Sequence, residues 1–409
     1  MVGTLNSGDD FGYSVASIGD LDNDGVNDIA VGAEEDSNKG AVWILFMNTN
    51  GTVHSEQKIN ETNGGFSGTL GSNNRFGYCV DGIGDLNNDG NEDIAVGNLM
   101  DDDGGNGRGA VWILFLNSNG TVASHQKISD TQGGFTGTLQ NADNLGSAVC
   151  GLGDLNGDGT EDIAVGAYLD DDGASDAGAV YIMFLNTNGT VASHQKISNT
   201  QGGFSGALGG SEYFGDKGMA NMGDLDGDGI IDLAVGETWD GDGGAGKGSV
   251  WTLFLNTNGT VSGHQKISET TGGLVTTLDS YDLFGTGIAN IGDLDGDGKT
   301  DMAVGAPFDD DGGSGRGAVY VLNLDGVAQF SGTITAQTNV SCFGDCTGSA
   351  TVAPVGGTGP FSYSWSTGGS SATETNLCAG NHTVTITDAS LLTTVVAVNI
   401  TEPADITSS

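Results

Sequence analysis

Aspartates recur in this chain at alternate positions of a nine-residue stretch, Asp20-Leu-Asp22-Asn-Asp24-Gly25-Val26-Asn-Asp28, and the stretch returns four more times. Carboxylates at positions 1, 3 and 5 converge when such a loop curls around one ion. Glycine at position 6 permits the sharp turn, position 7 can offer its backbone carbonyl, and the ninth residue closes the shell. The candidate ligand sets are Asp20, Asp22, Asp24, Val26 and Asp28; Asp85, Asn87, Asp89, Asn91 and Asp93; Asp154, Asn156, Asp158, Thr160 and Asp162; Asp224, Asp226, Asp228, Ile230 and Asp232; and Asp293, Asp295, Asp297, Lys299 and Asp301. A ring of hard oxygens suits Ca²⁺. No Cys or His lies in any loop, which makes zinc and copper poor fits. An EF-hand would need a glutamate at position 12, where this chain has Val31, Val96, Val165, Val235 and Val304. A single such loop could be an ordinary Asp/Asn/Gly turn. Five in one register predict about five structural Ca²⁺ ions. The second and third loops, with Asn87 and Asn156 at position 3, should bind more weakly for want of one negative charge.

The elements that position these loops repeat with them. The opening aspartates are 65, 69, 70 and 69 residues apart. Upstream of each loop stands FG (Phe11, Phe76, Phe214, Phe284) or LG (Leu145), and downstream GAVW or a variant begins at Gly40, Gly109, Gly178, Gly248 and Gly317. Each unit reads as four short strands: one after FG, then DIAVG, then the GAVWILFLN run, apolar on both faces, then TVASHQKIS. The Asn-Gly of NTNGT predicts a tight hairpin with positive φ at both central residues. Four strands per unit, repeated radially, predict an all-β propeller of five blades. A second acidic feature, DDDGG or a variant at Asp101, Asp170, Asp240 and Asp309, is expected to be a solvated loop, with a further ion site as the alternative.

Composition narrows the function. With 54 acidic against 11 basic residues and a net charge of −43, the chain is a poor partner for nucleic acid or an anionic membrane. The longest apolar runs are strand-sized, so no spanning helix is expected. The stretch after Met1 lacks a secretory signal's basic start and apolar core, and the start almost on the first FG suggests a piece of a longer chain. Five cysteines make no disulfide scaffold for 409 residues. Cys79 and Cys150 read as buried small residues. Cys342, Cys346 and Cys378 leave one pair possible, of undetermined partners.

The set FG, GDLDGDGxxD, VGAP (Val304 to Pro307) and GAVY resembles the FG-GAP repeat of integrin α-subunit propellers and their bacterial relatives, over roughly residues 3–330. The resemblance implies inter-strand Ca²⁺ at the matching loop residues and a role in adhesion or ligand display. Integrin propellers have seven blades, so this chain is expected to hold either a five-bladed ring or part of a larger one. From about Ser341, CxGxCxG, GGTGP, YSWS and LCAG resemble the SprB repeat of surface adhesins of gliding bacteria, implying a small immunoglobulin-like β-sandwich. The expected division is a propeller at 1–335 and this module with its tail at 336–409. The expected function is a non-catalytic, calcium-binding extracellular adhesion or ligand-display segment of a bacterial surface or secreted protein, binding a protein or glycan. The alternative is a carbohydrate-binding propeller accessory to a secreted hydrolase, with Trp239 as the sugar-stacking candidate. His125, His194 and His264 recur one per blade, too far apart for a catalytic cluster.

Overall fold

Apolar runs of at most seven residues, such as Ala41–Met47, bounded by glycine-rich turns are long enough for strands and too short for helices, and the repeats fold accordingly. The computed structural model describes residues 5–311, 313–324, 331–355, 359–387 and 393–403. Blade 1 comprises β1 (Phe11–Ser17), β2 (Ile29–Ala33), β3 (Ala41–Met47) and β4 (Val53–Ile59). Blade 2 comprises β5 (Phe76–Gly82), β6 (Ile94–Asn98), β7 (Ala110–Leu116) and β8 (Val122–Ser129). Blade 3 holds β9 (Leu145–Gly153), β10 (Asp162–Ala167), β11 (Ala179–Leu185) and β12 (Val191–Ile197). Blade 4 holds β13 (Phe214–Gly223), β14 (Asp232–Glu237), β15 (Ser249–Leu255) and β16 (Val261–Ile267), and blade 5 holds β17 (Gly287–Gly292), β18 (Asp301–Ala306) and β19 (Ala318–Leu322). Each of the first four is an antiparallel meander in sequence order, and the fifth has three described strands. This is the propeller-blade plan read from the repeat.

One turn differs from its expected form. Only the glycine of NTNGT has positive φ (Gly51 at 77°), and Asn50 does not. Gly51 N donates to Asn48 O and Asn48 N to Thr52 O, with a register shift at Phe46/Met47. This is the three-residue loop with a left-handed glycine bulge, not a two-residue hairpin. Asn50 serves through its side chain instead, accepting the Thr52 N–H at 3.1 Å.

Successive blades share one joint. The glycine opening the third strand of one blade pairs with the first strand of the next: Gly40 with Phe76, Gly109 with Leu145, Gly178 with Phe214, Gly248 with Phe284. The glycine closing the second strand lies against the following FG loop, so that a Cβ on Gly97 would fall 2.2 Å from the Gly146 carbonyl oxygen. Apolar side chains fill the space between blades. Phe66, from the connection into blade 2, stacks on Phe76 and meets Trp112 edge-on. Central strands β7, β11 and β15 are buried along their whole length.

Blade 5 departs from this. In β19, Val319 is 72% and Val321 54% exposed, and a Cβ on Gly305 would meet nothing within 3.4 Å. Gly12 of blade 1 likewise faces open space. Among the described residues the five blades therefore do not close on themselves: blades 1 and 5 lack the joint that the other pairs share.

A second compact unit takes over after residue 323. Its strands are β20 (Ser331–Thr338), β21 (Gly348–Val355), β22 (Ser362–Trp365), β23 (Thr373–Leu377), β24 (Gly380–Thr387) and β25 (Thr393–Ile400). Sheets β20-β21-β23 and β22-β24-β25 enclose Val352, Trp365, Leu377, Val384 and Ile386 in a β-sandwich. Cys346 and Cys378 are disulfide-bonded, and Cys342, Cys79 and Cys150 are free. Residues 356–358 of the GGTGP stretch and 388–390 after Thr387 lie outside the described residues. No helix among the described residues is long and apolar enough to cross a membrane.

Candidate metal centres

Each Asp loop connects the first two strands of its blade, and its own backbone shapes it. The position-1 carboxylate accepts the N–H groups of positions 5 and 6: Asp20 from Asp24 and Gly25, Asp85 from Asp89 and Gly90, Asp154 from Asp158 and Gly159. In the last two loops the position-6 glycine again donates to position 1, Gly229 to Asp224 and Gly298 to Asp293. The position-5 carboxylate accepts the position-7 N–H in the first, second, third and fifth loops, from Val26, Asn91, Thr160 and Lys299. These bonds curl the loop, which brings the acids together. One oxygen each of Asp20, Asp22 and Asp28 lies within 4.8 Å of the others, as do oxygens of Asp224, Asp226 and Asp232 and of Asp293, Asp295 and Asp297.

The ninth-position aspartates Asp28, Asp93, Asp162, Asp232 and Asp301 are fully buried. They bolt the loop to the blade. Asp93 accepts Leu86 N and, across the sheet, Leu116 N, and Asp162 accepts Leu155 N and Leu185 N. Burial pushes the Asp93 and Asp162 carboxyls up to about 7, despite these donors. A divalent cation beside them would hold them ionised.

In the second and third loops the position-3 asparagine turns its amide on the neighbouring acid: Asn87 Nδ2 donates to Asp89 Oδ2 at 3.0 Å and Asn156 Nδ2 to Asp158 Oδ2 at 2.9 Å. That amide engages one oxygen of the position-5 carboxylate. The first loop holds a residue that sequence reasoning missed. His54, from β4, puts Nε2 3.5 Å from Asp22 Oδ2. The hairpin between β3 and β4 returns it to the loop, and Ala123, Ala192 and Ser262 stand at that place in later blades.

The DDDGG stretches are solvated only in part: residues such as Asp102, Gly104 and Asp310 are exposed, but each stretch is anchored by a buried acid. Their first aspartates, Asp101, Asp170, Asp240 and Asp309, are at most 2% exposed. Lys127 Nζ lies 2.8 Å from both Asp101 and Asp103, and Lys196 Nζ lies 2.7 Å from Asp170 and Asp172. Lys266 holds Asp240 and Asp242 in the same way, and Tyr320 donates to Asp309 in blade 5. A buried charge must be paired, and the lysine of HQK, 26 residues downstream in blades 2 to 4, was the available signal. His125, His194 and His264 pack on Phe66, Phe135 and Phe204, one per blade. Trp239 is 42% exposed, edge-on to Tyr213 and Tyr281.

The FG-GAP repeat family matches residues 11–45, 81–114, 145–183 and 284–322, and the SprB repeat family matches residues 334–370. The chain thus contains four matches to the FG-GAP repeat and one to the SprB repeat. Blade 4 falls outside those matched spans yet folds as its neighbours do. Among curated relatives, integrin alpha-6 of Gallus gallus is 36% identical over 165 residues, 39% of this chain and 14% of that protein. Integrin alpha-2 of Bos taurus is 32% identical over 229 residues, 55% of this chain and 17% of that protein, and integrin alpha-2 of Mus musculus is 40% identical over 92 residues, 22% of this chain and 8% of that protein. The chain thus spans less than a fifth of these relatives' length. A fungal alcohol oxidase in complex with copper aligns over 93% of this chain and 92% of its own at 10% identity with a TM-score of 0.30, a likeness that carries no argument.

Proposed function

We propose that this chain is a calcium-stabilised, non-catalytic adhesion or ligand-display segment that works outside the cell, binding a protein or glycan partner. The observation that carries the reading is the Asp loop itself. Five copies stand at one place in the blades, each with its ninth carboxylate buried at the root. The integrin alpha relatives and the SprB match support the extracellular, adhesive part of the reading. Loops of this composition take Ca²⁺ through hard oxygens, and the weak, millimolar-range sites of extracellular modules suit a cation-rich exterior. With a dissociation constant near ~0.1 mM and ~1 mM calcium, each site stabilises the fold by roughly 1.4 kcal/mol, and five by roughly 7 kcal/mol.

Calcium titration with equilibrium dialysis tests this. About five ions per chain are expected, with the second and third loops filling last. Purified protein that binds no calcium at ~1 mM, the range of extracellular modules, overturns the reading.

A second reading, carbohydrate binding, rests on Tyr213, Trp239 and Tyr281, a row of aromatic rings in which Trp239 and Tyr281 are exposed. Exposed rings of this kind stack on sugars. A glycan array with the Trp239→Ala variant as control separates it from protein adhesion.

A further inference from the structure

At the end of each blade away from its Asp loop, two side chains stand beside the buried DDDGG aspartate. One precedes FG by two residues; the other ends the second strand. In blade 2 they are Asn74 and Asn98, and both amides donate to Asp101 Oδ2, at 3.0 and 2.7 Å. With Lys127 on Oδ1, that carboxylate is saturated. In blade 4 the same places hold Glu212 and Glu237, opposite Phe214 as Asn98 is opposite Phe76. Two donors are replaced by two acids.

The consequences are visible in the bonding. Around Lys127 stand Asp101 and Asp103; around Lys266 stand Glu237, Asp240 and Asp242, with Glu212 alongside. Glu237 is completely buried and Asp240 1% exposed. Glu237 Oε2 accepts Ser249 Oγ at 2.9 Å and Trp251 Nε1 at 2.8 Å and lies 3.1 Å from Lys266 Nζ. Its other oxygen, Oε1, is buried with no donor among the described residues. One oxygen from each of Glu212, Glu237 and Asp240 lies within 4.8 Å of the others. With the single charge of Lys266 shared among Glu237, Asp240 and Asp242, a buried carboxylate oxygen that has no donor calls for further positive charge or a proton.

We propose that Glu212, Glu237 and Asp240 form a cation site of a second kind, taking a hard divalent cation such as Ca²⁺. It is separate from the fourth Asp loop. Asp232 and Glu237 are the two ends of β14, five residue steps or roughly 17 Å apart. Without the cation, burial pushes Glu237 up to about 8, so the proton is the competitor.

Trp251 gives the site its own reporter, because its indole touches Glu237. Terbium emission excited through tryptophan is therefore expected from the whole protein, and calcium should quench it by displacement. The double variant Glu212→Asn, Glu237→Asn rebuilds the amide pair of blade 2. It should weaken terbium binding read this way by about tenfold or more, while calcium bound in the Asp loops still raises the melting temperature. Should that variant fail to fold, Glu212→Gln, at a half-buried position, gives the same reading. Unchanged emission in the variants, or none in the wild type, overturns the proposal. Loss of calcium from the Asp loops with the tryptophan-excited signal intact would instead count against the function proposed above.

Discussion

Two aspartates of the same loop do different work, and substitution separates them. Asp158 is exposed and faces its own loop, whereas Asp162 is buried and holds Leu155 N and Leu185 N. With calcium chelated, Asp158→Ala should cost less than about 1 kcal/mol. Asp162→Ala should cost roughly 3 kcal/mol or more, because two buried N–H groups lose their acceptor. Denaturant melts in chelator check this; equal costs would show that Asp162 is only a ligand. Asp216, in the first strand of blade 4, makes a pH-dependent contribution of its own. Burial pushes its carboxyl from 3.8 up to about 6, against the opposing charge of Lys217, with Thr238 as its donor. A carboxyl with a raised folded pKa binds its proton more tightly when folded, so this stability is complete below about pH 4 and is lost as pH rises through about 6. The full swing is roughly 3 kcal/mol. Asp216→Asn should accordingly be more stable than the parent at pH 7.5 and lose the advantage by pH 4. Melts at both pH values decide it.

At the scale of elements, the joint between blades makes glycine obligatory at one strand end. Gly97 has ordinary negative φ, so its replacement brings no backbone strain, only the close approach of a Cβ to the Gly146 carbonyl oxygen at 2.2 Å and to Cys79 Sγ at 2.4 Å. Gly97→Ala should cost about 3 kcal/mol or more, since backbone cannot step aside as a side chain can. Gly305→Ala, at the same place in blade 5 with no atom within 3.4 Å, should stay within about 0.5 kcal/mol. Thermal melts of the two variants give the comparison, and a large loss at Gly305 would mean that a further sheet packs there. Much of this scale was legible in the sequence. Short apolar runs between turn residues have one interpretation as strands, and the five in-register loops mark where first and second strands join. What was hidden depended on geometry that spacing does not encode. The NTNGT turn is set by which residue takes the left-handed conformation. The lysine partners of Asp101 and Asp170 lie 26 residues away, across two strands. The Cys346–Cys378 bond needed the sandwich that brings its ends together, and His54 needed the hairpin.

The whole molecule carries −43 charges, and compactness must be held against that repulsion. If calcium supplies roughly 7 kcal/mol, chelation should lower the melting temperature by roughly 10 °C for a unit of this size. Added monovalent salt should recover only part of the loss, because it screens charge without filling the loops. An unchanged melt in chelator would leave the loops as plain turns. The fold itself has a mechanical corollary. Among the described residues, every inter-blade backbone bridge, from Gly40–Phe76 to Gly248–Phe284, links a blade to its immediate successor along the chain. Apart from Lys217, which reaches from blade 4 to the rings of Tyr13 and Tyr78, the backbone joints make a one-dimensional array. Under tension between its termini it would unpeel from whichever end is uncovered, one hairpin set after another, lengthening in discrete steps rather than snapping as a unit.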